Sequence, residues 1–220
     1  LRPNSFLSFL PQNLSMDPEV KQNYIEAGKV VQKAKKKARE ISTPGTSFKF
    51  IADEIEKMIR EEGLQPAFPV NLSANDQAAH YSPGTSEKRI LKESDVLKID
   101  IGVHSDGYIA DTALTINPSG EHKEMIEANQ KVLEAALDFI EPGKTVGELG
   151  THIQNKVPEK YNVVRNLTGH SLDKYTQHAG LSIPNIRNSD KTVFEEGDAV
   201  AIEPFLTNGS GKIKKKKKGN

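Results

Sequence analysis

The sequence predicts an α/β fold made of two similar halves, and two observations lead to this prediction. Amphipathic helices and short apolar strands alternate along the 220 residues. The order helix, Pro-Gly break, helix and strands occurs twice, with "IEAGKVVQKA" matching "IEANQKVLEA" and "PGTSFKFIADEI" matching "PGKTVGELGTHI". Short helical matches also arise by chance, so the repeat alone leaves a duplication open. Two real halves would be expected to enclose a site at their junction.

Each helix is predicted from apolar spacing together with start and stop signals. Asp17 and Pro18 are typical of a helix N-terminus, and Gly63 is typical of a helix end. The break "EPGKT" separates the last two helices. The predicted helices extend over 17–41, 47–62, 123–140 and 146–157.

The strands are predicted from alternating apolar residues and from turn signals. "DVLKIDIGVH" and "YIADTALTI" flank a tight turn and are expected to form a hairpin. "NVVRNLTGHSL" and "TQHAGLSIPNI" are expected to be strand and loop, and "DAVAIEPFLT" a final strand. "AFPVNLSAND" is expected to be extended and then looped, and "HYSPGTSEKR" to be a polar loop.

Composition excludes several classes of function. The 30 basic residues balance 30 acidic ones, so charge indicates no nucleic-acid partner, and no DNA binding is expected. The chain has no cysteine, which excludes disulfides and thiolate chemistry. No apolar run approaches the roughly 18 residues of a membrane span, so no membrane partner is expected.

Two aspartates interrupt the apolar hairpin. Asp100 lies on the face opposite the apolar residues of its strand, and Asp111 stands in an equally apolar strand. If the turn centres on 105–106, Asp100 lies directly opposite Asp111. If it centres on 106–107, Asp100 lies opposite Ala113 but still on the face of Asp111.

Paired carboxylates in a half-buried place repel each other, so one is protonated, a cation is bound, or the hairpin is exposed and both are solvated. Other residues favour the cation. Glu203 stands in an apolar segment where an unpaired charge is costly, and His170 and His178 occur in a glycine-flanked loop. Taken singly, each histidine would more often be structural or exposed. Together, oxygen and nitrogen donors suit Mn²⁺, Fe²⁺, Co²⁺ or Zn²⁺. The remaining histidines except His80 are interpreted as surface residues, namely His104, His122 and His152.

Four segments, in this order, carry a resemblance to a known family: "PAFPVNLSANDQAAHYSPG", "LKIDIGVHSDGYIADTALT", "NLTGHSLDKYTQHAGLSIPN" and "AIEPF". From about Met16 to Gly211 the chain resembles methionine aminopeptidases of the type II, archaeal-like group. The resemblance implies an α/β (α+β) pita-bread fold, with two pseudo-symmetric halves around a central metal site. It also implies removal of the initiator methionine from nascent chains, in the cytoplasm, with contact to the ribosome as an additional expectation.

The resemblance also implies a set of site residues. Glu203 is expected to handle a proton of the attacking water as well as to bind metal. His80 and His178 are expected to contact the substrate and take part in catalysis, and Phe68 to line the methionine pocket. The implied metal ligands are Asp100, Asp111, His170 and Glu203.

The resemblance divides the chain and predicts its cofactors. A flexible N-terminal extension is expected over 1–15, a catalytic domain over 16–212 and a basic tail over 213–220. A native start is expected near Met16, and a fragment or altered end at the polylysine run. The family holds two divalent metal ions. Fewer are expected here, because no second bridging glutamate follows Glu203 before the sequence stops.

Two other readings share this fold. One is a non-catalytic, ribosome-associated binding protein with an incomplete metal site, whose lysines Lys214 to Lys218 would contact RNA. The other is a proline dipeptidase, which "AAHYSP", "GHSL" and "QHAG" match less well than they match the methionine-removing group. Buried ligand residues favour an enzyme, since a binding module has no need for them.

Overall fold

The structure, a computed structural model, describes residues 16–214. The N-terminal extension predicted over 1–15 lies outside this range, as do residues 215–220 of the predicted basic tail. The described residues include four α-helices, α1 (Pro18–Ile41), α2 (Phe48–Glu61), α3 (Lys123–Phe139) and α4 (Val146–Lys156). The four predicted helices are confirmed, and their ends lie close to the predicted ones.

The helix ends are fixed by the side chains that the sequence placed there. Asp17 accepts a hydrogen bond from the backbone N of Glu19 at 2.8 Å, and this satisfies one of the free N–H groups at the start of α1. At the start of α4, Thr145 and Glu148 form a reciprocal capping box. Local capping therefore sets where α1 and α4 begin.

The N-terminal half (16–117) contains an antiparallel sheet of four strands. The strands are β1 (Gln65–Pro66), β2 (Asn71–Ala74), β3 (Leu97–Ser105) and β4 (Tyr108–Ile116). Strand β3 pairs with β4 along one edge, and with β1 and β2 along the other. Helix α1 packs against β3 and β4. The larger apolar core lies between helices α1 and α2 and this sheet. Leu72, Ile99 and Ile101 are completely buried in it.

The β3–β4 hairpin has the second of the two predicted registers. Ser105 pairs with Tyr108, so Asp106 and Gly107 form the turn, both with positive φ (46° and 88°). This is the two-residue turn that matches the twist of paired strands. As a result Asp100 lies opposite Ala113.

The C-terminal half (118–214) has shorter strands. They are β5 (Asn162–Val163), β6 (Thr168–Ser171), β7 (Ser182–Pro184), β8 (Val200–Ala201) and β9 (Leu206–Thr207). Strand β6 lies between β7 and β8, and β5 pairs with β9. The prediction of one final strand is wrong, because the chain leaves the ladder between β8 and β9. Pro204 stands in this gap and has no N–H to donate to a neighbouring strand.

The two halves repeat the same backbone contact before their second helix. In the N-terminal half, Gly45 N donates to Leu91 O at 2.8 Å; in the C-terminal half, Gly143 N donates to Phe194 O at 2.9 Å. These matching contacts support the duplication that the sequence repeat left open. The smaller apolar core of the C-terminal half includes Val132, Ile153 and Ile183. Over the described range, no helix is both long enough and apolar enough to span a membrane.

Candidate metal centre

The two halves contribute different side chains to one site. Asp100 lies on β3 and Asp111 on β4, both on the face of the hairpin opposite the buried Ile99 and Ile101. His170 lies on β6, and Glu203 lies between β8 and β9. Residues 59 to 103 positions apart in the sequence therefore meet where the halves join.

Three of the four predicted ligands form a compact cluster. One donor atom each of Asp111, His170 and Glu203 lies within 4.8 Å of the other two. The Nε2 atom of His170 is 3.1 Å from Oε1 of Glu203 and 3.7 Å from Oδ2 of Asp111. The Asp111 and His170 side chains are almost completely shielded, at 5% and 6% exposure, so their charges interact strongly.

Asp100 lies beside this cluster but is not one of its three members. Burial, together with the nearby carboxylates of Asp111 and Glu203, raises the pKa of Asp100 to about 8. Burial and Glu203 likewise raise the pKa of Asp111, although a hydrogen bond from Gln177 opposes the shift. The pair is therefore held in an environment that disfavours two negative charges unless a positive one is present.

Both ring nitrogens of His170 face acceptors. Nδ1 is 3.2 Å from the carbonyl oxygen of Ser171, and Nε2 faces Glu203. Burial alone would lower the pKa of His170, but the hydrogen bond and charge of Glu203 raise it overall. With a proton on Nδ1, the ring donates to the Ser171 carbonyl and leaves the Nε2 lone pair free for a ligand.

Close packing brings the strand of His170 to the segment of Glu203. A Cβ on Gly169 would lie 2.2 Å from the backbone oxygen of Ala201, so only glycine permits this approach. The Asn185 side chain is fully buried, and its Nδ2 donates to the carbonyl of Glu203 at 2.7 Å and to that of Leu167 at 3.2 Å. Asn185 thus joins the backbone beside both C-terminal ligands.

The two histidines predicted to contact substrate lie at the exposed side of the cluster. The ring of His178 is 4.3 Å from that of His170, in an edge-to-face arrangement. Burial lowers the pKa of His178, and the charges of His170 and His80 lower it further, so His178 is mainly neutral near pH 7. His80 is exposed, and its φ of +64° is uncommon for a residue with a side chain.

Phe68 contacts the hairpin at a position where a side chain is missing. A Cβ on Gly102 would lie 2.2 Å from Cε1 of the Phe68 ring. Gly102 pairs with Asp111 across the hairpin, so the ring lies close to the strands that carry the aspartates. Phe68 is half-buried, which leaves part of the ring accessible.

Sequence reasoning missed two residues of the site and misjudged two histidines. Gln177 and Asn185 bond to the site, yet an isolated amide in a loop gives no signal by itself. His104 is half-buried and its Nδ1 accepts from Gly107 N at 3.1 Å, while the His152 ring stacks on Phe139 at 4.2 Å. The prediction that these two histidines are simple surface residues is therefore wrong.

The donor set fits a divalent metal ion. Two carboxylates and one imidazole offer the hard oxygen and borderline nitrogen atoms that suit first-row divalent ions. The raised pKa of half-buried Asp100 is the expected signature of carboxylates brought together without a compensating cation. On this observation Asp111, His170 and Glu203 would hold the ion, with Asp100 adjacent.

A family comparison agrees with this arrangement. The family model described as metallopeptidase family M24 matches residues 22–219. The chain belongs to metallopeptidase family M24. Divalent metals are a property of the family, and the cluster of Asp111, His170 and Glu203 agrees with this.

Individual relatives also resemble the chain in sequence. A methionine aminopeptidase of Pyrococcus horikoshii is 47% identical over 191 residues, covering 86% of this chain and 65% of the relative. A methionine aminopeptidase of Methanocaldococcus jannaschii is 40% identical over 206 residues, covering 93% and 70%. The resemblance seen in the sequence motifs is confirmed, and the chain spans about two thirds of the length of these relatives.

Solved structures of other proteins share the fold. A Thermotoga maritima methionine aminopeptidase has a TM-score of 0.82 at 25% identity, covering 94% of this chain and 87% of that one. A Pyrococcus horikoshii prolidase gives 0.72 at 25% identity, covering 87% and 56%. A thermophilic Arx1 gives 0.79 at 18% identity, covering 93% and 67%, and this likeness concerns the fold alone. The predicted pita-bread fold is confirmed.

Proposed function

We propose that this M24 protein is a metal-dependent methionine aminopeptidase that removes the N-terminal methionine from nascent polypeptides in the cytoplasm. The observation that carries the proposal is the convergence of Asp111, His170 and Glu203 from two halves of the chain. Sequence identities of 47% and 40% to methionine aminopeptidases supply the substrate class. The proposal includes one or two divalent metal ions, drawn from Mn²⁺, Fe²⁺, Co²⁺ and Zn²⁺.

Side chains of this chain hold the ion and provide the surrounding chemistry. Asp111, His170 and Glu203 would bind it, and Asp100 lies near enough to complete the set. When bound, a divalent ion lowers the pKa of water and polarises a carbonyl. Burial of Asp111 and His170 keeps bulk water from weakening these electrostatic effects.

Other residues would move protons and orient the peptide. The carboxylate of Glu203 can accept a proton from the attacking water and later return it to the leaving amine. His178, mainly neutral because its pKa is lowered, can donate a hydrogen bond to the developing oxyanion. His80 lies on the same exposed side and would contact the scissile amide. Phe68 would pack against the methionine side chain.

The two competing readings have weaker support. A ribosome-associated binding protein has only a fold-level counterpart in the thermophilic Arx1, at 18% identity. A binding module also has no need for shielded carboxylates and imidazole. The prolidase reading relies on 25% identity, below the 47% of the methionine aminopeptidase relative.

The proposal is tested by metal binding and peptide hydrolysis in the same preparation. The protein is titrated with Mn²⁺, and methionine release from the peptide Met-Ala-Ser is measured. The wild-type chain is expected to bind at least one equivalent and to release methionine. Asp111→Asn and His170→Ala are expected to abolish turnover, because each removes a metal ligand. Asp111→Asn is expected to do so without lowering the melting temperature in EDTA, because it removes one of the carboxylates that repel each other without metal.

A matched control is Asp138→Asn, which makes the same chemical change on the exposed face of α3. It is expected to keep wild-type metal binding and turnover. The proposal fails if the wild-type protein saturated with Mn²⁺ releases no methionine. Turnover retained in Asp111→Asn or His170→Ala would contradict the assigned ligands.

A further inference from the structure

Gln177 contacts the candidate metal centre, although the proposed function gives it no task. Its side-chain Nε2 donates to Oδ2 of Asp111 at 3.3 Å. The same oxygen lies 3.7 Å from Nε2 of His170. Gln177 belongs to the C-terminal half and Asp111 to the N-terminal half, so this hydrogen bond links the halves at the site itself.

The loop that carries this glutamine, 173–177, is attached to the tip of the β3–β4 hairpin. The backbone N of Tyr175 donates to the carbonyl of Gly107 at 2.8 Å. Nζ of Lys174 donates to Oδ2 of Asp106 at 2.7 Å. The loop is therefore held at the hairpin that bears both aspartates.

Tyr175 and Gly107 fit closely at this attachment. Tyr175 has a φ of +55°, a conformation that persists for a bulky residue only where its surroundings hold it. A Cβ on Gly107 would lie 2.6 Å from the Tyr175 ring, so glycine alone leaves room for it. The ring also meets His104, with 5.5 Å between centroids. These contacts fix the conformation of the loop, and therefore the backbone position from which the Gln177 side chain extends.

We propose that Gln177 is a positioning residue whose amide orients the carboxylate of Asp111 toward a divalent ion. The inference rests on the metal-dependent part of the proposed function. A carboxylate oxygen has two lone pairs, so Oδ2 can accept from the amide and still face an ion. Removing a hydrogen-bond partner of a metal ligand typically weakens metal affinity by about 10- to 100-fold.

The test removes the amide donors and measures metal affinity directly. Gln177→Leu and Gln177→Met both remove them while keeping a side chain of similar size. Each is expected to bind Mn²⁺ about 10-fold more weakly in a calorimetric titration. The visible spectrum of the Co²⁺-loaded protein is expected to shift, because the orientation of a ligand has changed. Saturating metal is expected to restore kcat, with KM for Met-Ala-Ser unchanged.

A matched control is Gln130→Leu, because Gln130 donates from its side chain to Oε1 of Glu134 at 2.9 Å on the exposed face of α3. It is expected to leave Mn²⁺ affinity and the Co²⁺ spectrum unchanged. Melting temperatures in EDTA identify any variant that fails to fold. If one Gln177 variant fails to fold, the Mn²⁺ affinity of the other tests the inference.

The outcomes separate this inference from the proposed function. Affinity within twofold of wild type in a folded Gln177 variant overturns the inference even if the wild-type protein hydrolyses the peptide. A second outcome is a wild-type protein that binds Mn²⁺ but releases no methionine, with weaker Mn²⁺ binding in the Gln177 variants. This outcome supports the inference and refutes the proposed peptidase. A wild-type protein that binds no Mn²⁺ overturns both.

Discussion

The N-terminal and C-terminal halves share the order of their elements but differ in how they hold their part of the site. In the N-terminal half, β3 and β4 are nine residues each, and a continuous ladder fixes both aspartates. In the described part of the C-terminal half, the longest strand, β6, has four residues. His170 and Glu203 are held there by the close approach at Gly169 and by the amide of Asn185.

The comparison teaches that two repeats of one architecture can fix side chains by different physical means. A long ladder distributes its constraint over many backbone hydrogen bonds, so no single residue decides where the backbone of Asp100 or Asp111 lies. A short ladder depends on a few close contacts, and each of those becomes decisive. The C-terminal half is therefore expected to be the more sensitive one to single substitutions near the site.

Alanine substitutions at two close-packed glycines are expected to give the largest difference in stability between the halves. In Gly169→Ala the new Cβ meets a backbone oxygen that cannot move without separating β6 from β8, so we expect a loss of about 3 kcal/mol in the free energy of unfolding. In Gly102→Ala it meets the Phe68 ring, which can shift, so we expect about 1 kcal/mol. Urea unfolding of the metal-free proteins measures both.

Activity gives a second readout for the same pair. Gly169→Ala is expected to lower kcat and metal affinity, because His170 and Glu203 move apart. Gly102→Ala is expected mainly to raise KM for Met-Ala-Ser, since the displaced Phe68 ring would no longer pack against methionine. Equal losses of stability in the two variants would break the proposed difference between the halves.

A separate effect on the melting temperature is expected from pH, and it concerns the N-terminal half. The pKa of Asp100 is raised from 3.8 to about 8 in the folded, metal-free protein, so the folded state binds this proton more tightly than the unfolded state. Its contribution to stability is complete below pH 3.8 and is lost as the pH rises through 8. The melting temperature in EDTA is therefore expected to fall between about pH 4 and pH 8.

Asp100→Asn provides the control for this titration, since an amide does not ionise. Its melting temperature in EDTA is expected to depend less on pH over the same interval. Excess Mn²⁺ is expected to restore the stability of the wild-type protein near pH 8, because the ion replaces the lost proton as the compensating charge. A wild-type melting temperature that rises steadily from pH 4 to pH 8 in EDTA would contradict the shift.

The smallest effect is expected at two equivalent surface positions. Ile90 bridges to the residue before α2, and Val193 bridges to the residue before α4, and both side chains are exposed (52% and 44%). Their contacts are made by the backbone, so Ile90→Thr and Val193→Thr are each expected to change stability by less than about 0.5 kcal/mol. Thermal unfolding measures the pair, and unequal effects well above this size would show that the positions are not equivalent.

Much of the fold could be predicted from the sequence because its signals are local. Caps, Pro-Gly breaks and apolar spacing predict all four helices, and alternation predicts the buried face of β3. The hairpin register was open between two turns and was decided by Asp106 and Gly107, whose positive φ angles suit this pair of residues. Either register puts Asp100 and Asp111 on one face, so the prediction of a shared face did not depend on the choice.

The site was predictable only in part because its geometry depends on contacts distant in sequence. The acidic residues stood out as charges among apolar neighbours, and two of them, Asp111 and Glu203, meet with His170. Glu203 lies between two strands rather than inside one, since Pro204 interrupts the ladder. Asn185 and Gln177 act through bonds to groups 18 and 66 positions away, which no local pattern reveals.

The two-residue turn at Asp106 and Gly107 has a consequence for how this chain can vary. Side chains of a strand alternate between faces, so one extra residue in the turn would slip the pairing and carry Asp111 to the opposite side of the sheet. Two extra residues would return Asp111 to its original face of the sheet. Its carboxylate would then lie two residues further along the strand. Insertions and deletions are therefore expected to accumulate in other loops while the length of this connection stays constant.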